Sequence, residues 1–134
     1  MKIKINRDKP FHLSLGRRGE MVAWGFLTRN GYRILEKNFR CPIGEIDVIA
    51  VKQRRIAFIE VKTRAGEDYG RPEEAVHQVK RKKLTQLAKW YLKQTGQSEK
   101  PAYFAVVAVA WHGAGEPEIH LIENAFDAED GRSE

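Results

Sequence analysis

Two apolar, β-branched runs separated by a polar tetrad dominate the middle of the chain. Gly44–Val51 and Ile56–Val61 flank Lys52-Gln53-Arg54-Arg55, the pattern of two strands joined by a hairpin loop. Upstream, Glu20, Ala23, Trp24 and Leu27 fall at i, i+3, i+4 and i+7, with Asn30-Gly31 behind them. That spacing and stop signal predict a helix from Ser14 or Leu15 to Asn30. A strand near 32–38 and a turn at Cys41–Gly44 follow. Thr63–Arg71, with Gly66 and Gly70 among mixed charges, reads as a mobile surface loop. Pro72-Glu73-Glu74 then opens a helix expected to run unbroken to Gln94, its inner face marked by Val76, Lys80, Leu84, Leu87 and Tyr91. Ala102–Trp111 is apolar enough for a strand buried on both faces, and Glu118–Ile122 is a short strand after a glycine-rich turn. The order α-β-β-β-α-β-β describes an α/β fold with a mixed central β-sheet flanked by helices. It is expected as one domain over residues 14–123, with a lead-in at 1–13 and an acidic tail at 124–134.

The charges inside the apolar runs change the picture. If Val51 pairs with Ile56, the same register sets Asp47 opposite Glu60 and Glu45 opposite Lys62. Opposed Cβ atoms are about 5 Å apart, so the two acids would repel unless a divalent cation bridged them. Period-2 alternation puts Glu60 and Lys62 on one face and Ile59 and Val61 on the other. Oxygen ligands without histidine or cysteine favour Mg²⁺ or Mn²⁺ over zinc. A lysine beside such a site can orient a water and stabilise charge on a phosphate. The alternative is a buried Glu60–Lys62 ion pair with Asp47 and Glu45 solvated at a strand end. Glu20 interrupts an apolar helical stripe and so needs a partner, either this site or Arg17. Gly16 and Gly19 could bring the start of that helix close to the sheet.

Composition adds a partner class and removes several others. Cys41 is the single cysteine, which leaves no disulfide framework or cysteine-rich zinc site. The four histidines are scattered without ligand spacing. No run has signal-peptide or membrane-span length, so the expectation is a cytoplasmic protein without a membrane partner. The net charge of +6 hides an asymmetry. Residues 116–134 carry seven acidic side chains against Arg132, leaving 23 basic and 11 acidic ones on residues 1–115. So basic a body suits a polyanion. Arg17, Arg18, Arg64, Lys80, Lys82 and Lys83 are the candidate nucleic-acid contacts.

Gly16-Arg17-Arg18-Gly19-Glu20, Asn30-Gly31-Tyr32-Arg33-Ile34-Leu35, Asn38-Phe39-Arg40, Gly44-Glu45-Ile46-Asp47 and Phe58-Ile59-Glu60-Val61-Lys62-Thr63-Arg64 resemble the PD-(D/E)XK nuclease superfamily. More closely the chain resembles the YraN-type family, which is similar to archaeal Holliday-junction resolvases. The resemblance runs from about Gly16 to Val109. It implies a restriction-endonuclease-like fold and a Mg²⁺- or Mn²⁺-dependent endonuclease acting on branched or structured DNA in repair or recombination. By it, Asp47, Glu60 and Lys62 would be catalytic with Glu20 as an added carboxylate. Asp47, Glu60, Glu20 and the Val61 carbonyl would hold the metal. Analogy with the resolvases also implies a homodimer. One segment departs from the pattern: Tyr103-Phe104-Ala105 stands where such proteins commonly carry Arg-Phe-Asp. That departure favours two alternatives without turnover, a DNA-binding module or a partner-binding scaffold on the same fold.

Overall fold

The computed structural model describes residues 13–66, 71–77 and 79–128. Most of the 1–13 lead-in, part of the loop after residue 66 and the end of the acidic tail therefore lie outside the described residues. Helix α1 spans Leu15–Arg29, with the Ser14 hydroxyl accepting from the Arg17 amide at 3.1 Å as an N-cap. Strands β1 (Arg33–Cys41), β2 (Gly44–Lys52) and β3 (Arg55–Ala65) form an antiparallel meander. Helices α2 (Glu74–His77) and α3 (Arg81–Gln94) cross over to β4 (Ala102–Trp111), which lies parallel to β3 and is followed by antiparallel β5 (Glu118–Ile122). The sheet order is β1-β2-β3-β4-β5. The expected mixed sheet flanked by helices is what the chain adopts.

Strand alternation builds two cores. Ile49, Ile56, Phe58, Phe104 and Val106 meet Leu84, Leu87 and Tyr91 of α3 on one face. Val48, Ala50, Ala57, Ile59, Ala105 and Val107 meet Ala23 and Leu27 of α1 on the other. α1 lies very close to β3. A Cβ at Gly19 would collide with the Thr63 side chain, its Cγ2 2.7 Å away, whereas one at Gly16 would meet nothing within 4 Å. Only Gly19 is therefore needed for the approach.

Three expected boundaries are corrected. The helix expected from Pro72 to Gln94 is two helices, parted around Val79-Lys80. A continuous helix would carry Lys80 along the stripe into the core, and an unpaired buried ammonium is costly. The break buries Val79 and leaves Lys80 exposed. β3 extends to Ala65 because β4 pairs with it all the way to Ala65↔Trp111, so the expected loop begins later than Thr63. The packed body also runs past residue 123. The Ala125 amide donates to the Phe104 carbonyl at 2.9 Å, and Phe126 stacks on the Phe104 ring at 4.7 Å.

Candidate active site

The site begins where two strands part. The expected register is observed over Val48↔Ile59 to Lys52↔Arg55, with Val51 opposite Ile56. Toward Gly44 the β2–β3 pairing stops. From there β2 follows β1, with Arg40↔Glu45 and Cys41↔Gly44, while β3 follows β4 from Glu60↔Val106 onward. The Val61 amide donates instead to Asp47 Oδ2 at 2.8 Å. A carboxylate thus takes the place of a ladder carbonyl at the fork. Asn38, at φ 51° between the Lys37↔Val48 and Phe39↔Ile46 pairs, marks the same disturbance on β1. Beyond it Ile46 joins the α3-side core, although alternation from Val48 would turn it toward α1.

Asp47 and Glu60 are brought together. Their carboxyl groups lie close enough to act on one another, and both are driven above the ordinary carboxylate range. For Glu60, burial is the largest cause, the Asp47 charge adds to it and Lys62 opposes it; the result is about 8. For Asp47, burial again leads. The Val61 amide pulls the other way, Glu20 and Glu45 raise it, and Lys62 lowers it. Two acids that cannot both ionise easily share a proton.

Glu60 and Lys62 project from the α3 face of β3, as alternation required. They line a cleft of about 210 Å³ with Glu45, Lys80 and Lys83. Val61 turns to the α1 side and packs on that core. Glu20 approaches from α1, close enough to act on Asp47, but its carboxylate pairs with Arg17 at 3.4 Å. Among the described residues no three acidic, histidine or cysteine side chains converge on one point. Glu45 does not meet Lys62 as the extended register implied. It accepts from Arg40 Nε at 3.1 Å across β1–β2, because the strands have separated.

The six candidate nucleic-acid contacts divide between two faces. Arg17 and Arg18 on α1 lie over the Trp24 and Trp111 rings, at 4.8 and 4.6 Å. Lys80 and Lys83 line the acid cleft and continue into an open groove that also carries Lys82. Arg64 lies beyond Lys62, beside a separate depression edged by Glu118 and His120. The histidines are less scattered than they read. His112 Nε2 lies 2.8 Å and His120 Nε2 3.3 Å from the Glu118 carboxylate, which these partners hold below its ordinary range. The i, i+2 spacing of Glu118 and His120 on one strand was the available signal. At the altered segment, the Tyr103 hydroxyl donates to that of Tyr32 at 2.8 Å, Arg55 covers the Tyr103 ring, and Ala105 is fully buried. Aromatic and apolar packing fills this segment.

Comparison with known proteins gives the family. The model described as "Uncharacterised protein family UPF0102" matches residues 19–109. The chain belongs to UPF0102. A UPF0102 protein of Desulfosudis oleivorans is 46% identical over 84% of this chain and 89% of its own length. One from Moorella thermoacetica is 47% identical over 83% and 93%, and one from Syntrophotalea carbinolica 42% over 87% and 94%. Among solved structures, a repair endonuclease from Pyrococcus abyssi aligns with 77% of the chain at 19% identity and a TM-score of 0.42. The chain spans 41% of that structure's length. No helix among the described residues is long and apolar enough to cross a membrane.

Proposed function

We propose that the fork between β2 and β3 is a Mg²⁺- or Mn²⁺-dependent site for hydrolysing phosphodiester bonds in nucleic acid, with branched or structured DNA as the substrate. The observation that carries this reading is the nearness of Asp47 to Glu60, each acting on the other's charge, where Glu60 and Lys62 open into a lysine-lined cleft. Two like charges in a buried position favour binding of a cation. Both are hard oxygen donors, and Asp47 is oriented by the Val61 amide. Mg²⁺ is commonly held by one or two carboxylates with water and substrate phosphate completing its shell. A set of Asp47, Glu60 and the Val61 carbonyl fits that habit without a third acid, and Glu20 would act on the site through its charge. When bound, the ion would supply Lewis-acid polarisation of the phosphoryl group. Lys62 would position the attacking water and offset charge on the phosphate. Hydrolysis forms one P–O bond from water and breaks another, leaving a phosphate monoester and an alcohol.

The test is a cleavage panel of four-way junction, flap, duplex, single strand and RNA with each ion. Wild type should cut the branched substrates. Asp47→Asn and Lys62→Met should each lose roughly a hundredfold or more, the scale of a missing electrostatic or acid–base group. A second reading, a DNA-binding module without turnover, is favoured by the Arg17–Glu20 pair and the absence of a third converging acid among the described residues. Salt-sensitive DNA binding with no cleavage under either ion would decide for it.

A further inference from the structure

The cations of the described residues differ in whether they are already engaged. Arg40 is tied to Glu45, Lys52 to Glu123 and Arg17 to Glu20. Arg18, Arg55 and Arg81 lie over aromatic rings. Lys80 and Lys83 have no ion pair or ring contact among the described residues, yet both line the wall facing Glu60 and Lys62. Their position follows from the helix. Lys83, Leu84 and Leu87 share one side of α3, where the two leucines are buried in the core, and Lys80 is the N-cap residue just before the helix. Lys83 therefore continues the core stripe past the apolar sheet surface, and Lys80 stands at the helix start, both lining the cleft. The β1–β2 turn fixes the Lys83 stem: a Cβ at Gly44 would lie 3.2 Å from Lys83 Cε and 3.7 Å from both Leu87 methyls. Beyond these lysines the cleft opens into the groove lined by Lys82 and Gln86, which gives a chain a way out.

We infer that Lys80 and Lys83 form a clamp for the backbone phosphate next to the scissile one, so that the site selects a polynucleotide over a simple phosphodiester. This rests on the hydrolase reading above. Two uncommitted ammonium groups across the cleft from Glu60 and Lys62 are placed to hold an anion that is not the reacting one. Lys62, on the same floor as Glu60, serves the reacting phosphate.

The experiment compares kcat/KM for an oligonucleotide with that for bis(4-nitrophenyl) phosphate, which carries a single phosphate, under Mn²⁺. Lys83→Met and Lys80→Met keep the apolar stem and remove the charge. Each should lower the oligonucleotide-to-diester ratio roughly tenfold to a hundredfold, the range of a lost charge-assisted contact. Lys83→Arg should restore most of it, and Lys89→Met, on the exposed side of α3, should leave the ratio at the wild-type value. Equal losses on both substrates, or an unchanged ratio in the two methionine variants, would overturn the clamp while leaving the hydrolase reading intact. Wild type that hydrolyses neither substrate overturns the hydrolase reading and the clamp with it.

Discussion

Asp47 serves two structural ends at once. Its Oδ2 completes the hydrogen bonding of the Val61 amide, and its carboxyl group stands against Glu60. The cost of that arrangement depends on pH. Glu60 is raised from the ordinary 4.5 to about 8, chiefly by burial and then by Asp47, and Asp47 is shifted in the same direction. The folded, metal-free chain therefore holds more protons than the unfolded one between those values. Its stability from this pair is full below about pH 4.5 and is lost as pH rises through about 8, by roughly a few kcal/mol at most. Asp47→Asn keeps an acceptor for Val61 and removes one charge, so its melting temperature should fall less than that of wild type between pH 5 and 8.5. Added Mg²⁺ or Mn²⁺ should stabilise wild type by about 2.7 kcal/mol at a hundredfold excess over the dissociation constant and leave the variant unmoved. Parallel pH slopes for the two proteins, with no response to the ions, would make Asp47 a structural hydrogen-bonding residue only.

At the scale of the element, the β2–β3 hairpin sets the register on which the acid pair depends. Its turn is made by Gln53 and Arg54 at φ 50° and 65°, with Lys52 paired to Arg55. Two consecutive left-handed residues suit a two-residue hairpin, but side chains of this size adopt that conformation at a cost of about 1 kcal/mol or more each. Replacing Gln53-Arg54 with Asn-Gly should raise stability by roughly 1–2 kcal/mol in urea unfolding without moving the strands. A loss of stability would mean that the two side chains make contacts outweighing their backbone strain. The alternation of the runs made this element legible, including the Val51–Ile56 register. The parting of β2 from β3 was not legible, since it arises from competition between neighbours. β1 holds one strand through the turn that joins them, and β4, distant in the chain, holds the other.

Across the whole molecule, the basic residues do not form one surface. α1 presents its arginines already stacked on Trp24 and Trp111, whereas the lysines of α3 line the cleft and its outer groove. If DNA follows the groove, log affinity should fall with log salt by about 0.9 for each phosphate neutralised. Lys82→Ala should lower that slope by about one contact, and Arg18→Ala should change it far less. Equal slope changes from the two substitutions would place the polyanion across both faces.

The sequence by itself determined the order of the strands, the hairpin register and the shared face of Glu60 and Lys62, because periodicity and register are short-range properties of a hydrogen-bonded chain. Glu118–Ile122 and Ala102–Trp111 could be read to the residue for that reason. Only the tertiary structure decided that the long helix breaks before Arg81, since the cost of burying Lys80 exists only once a sheet lies beneath it. It also decided that Glu45 turns to Arg40, that Glu20 reaches Asp47 from the opposite face while paired to Arg17, and that Phe126 closes the core over Phe104. Each of these follows from how segments distant in the chain pack together, which local patterns do not encode.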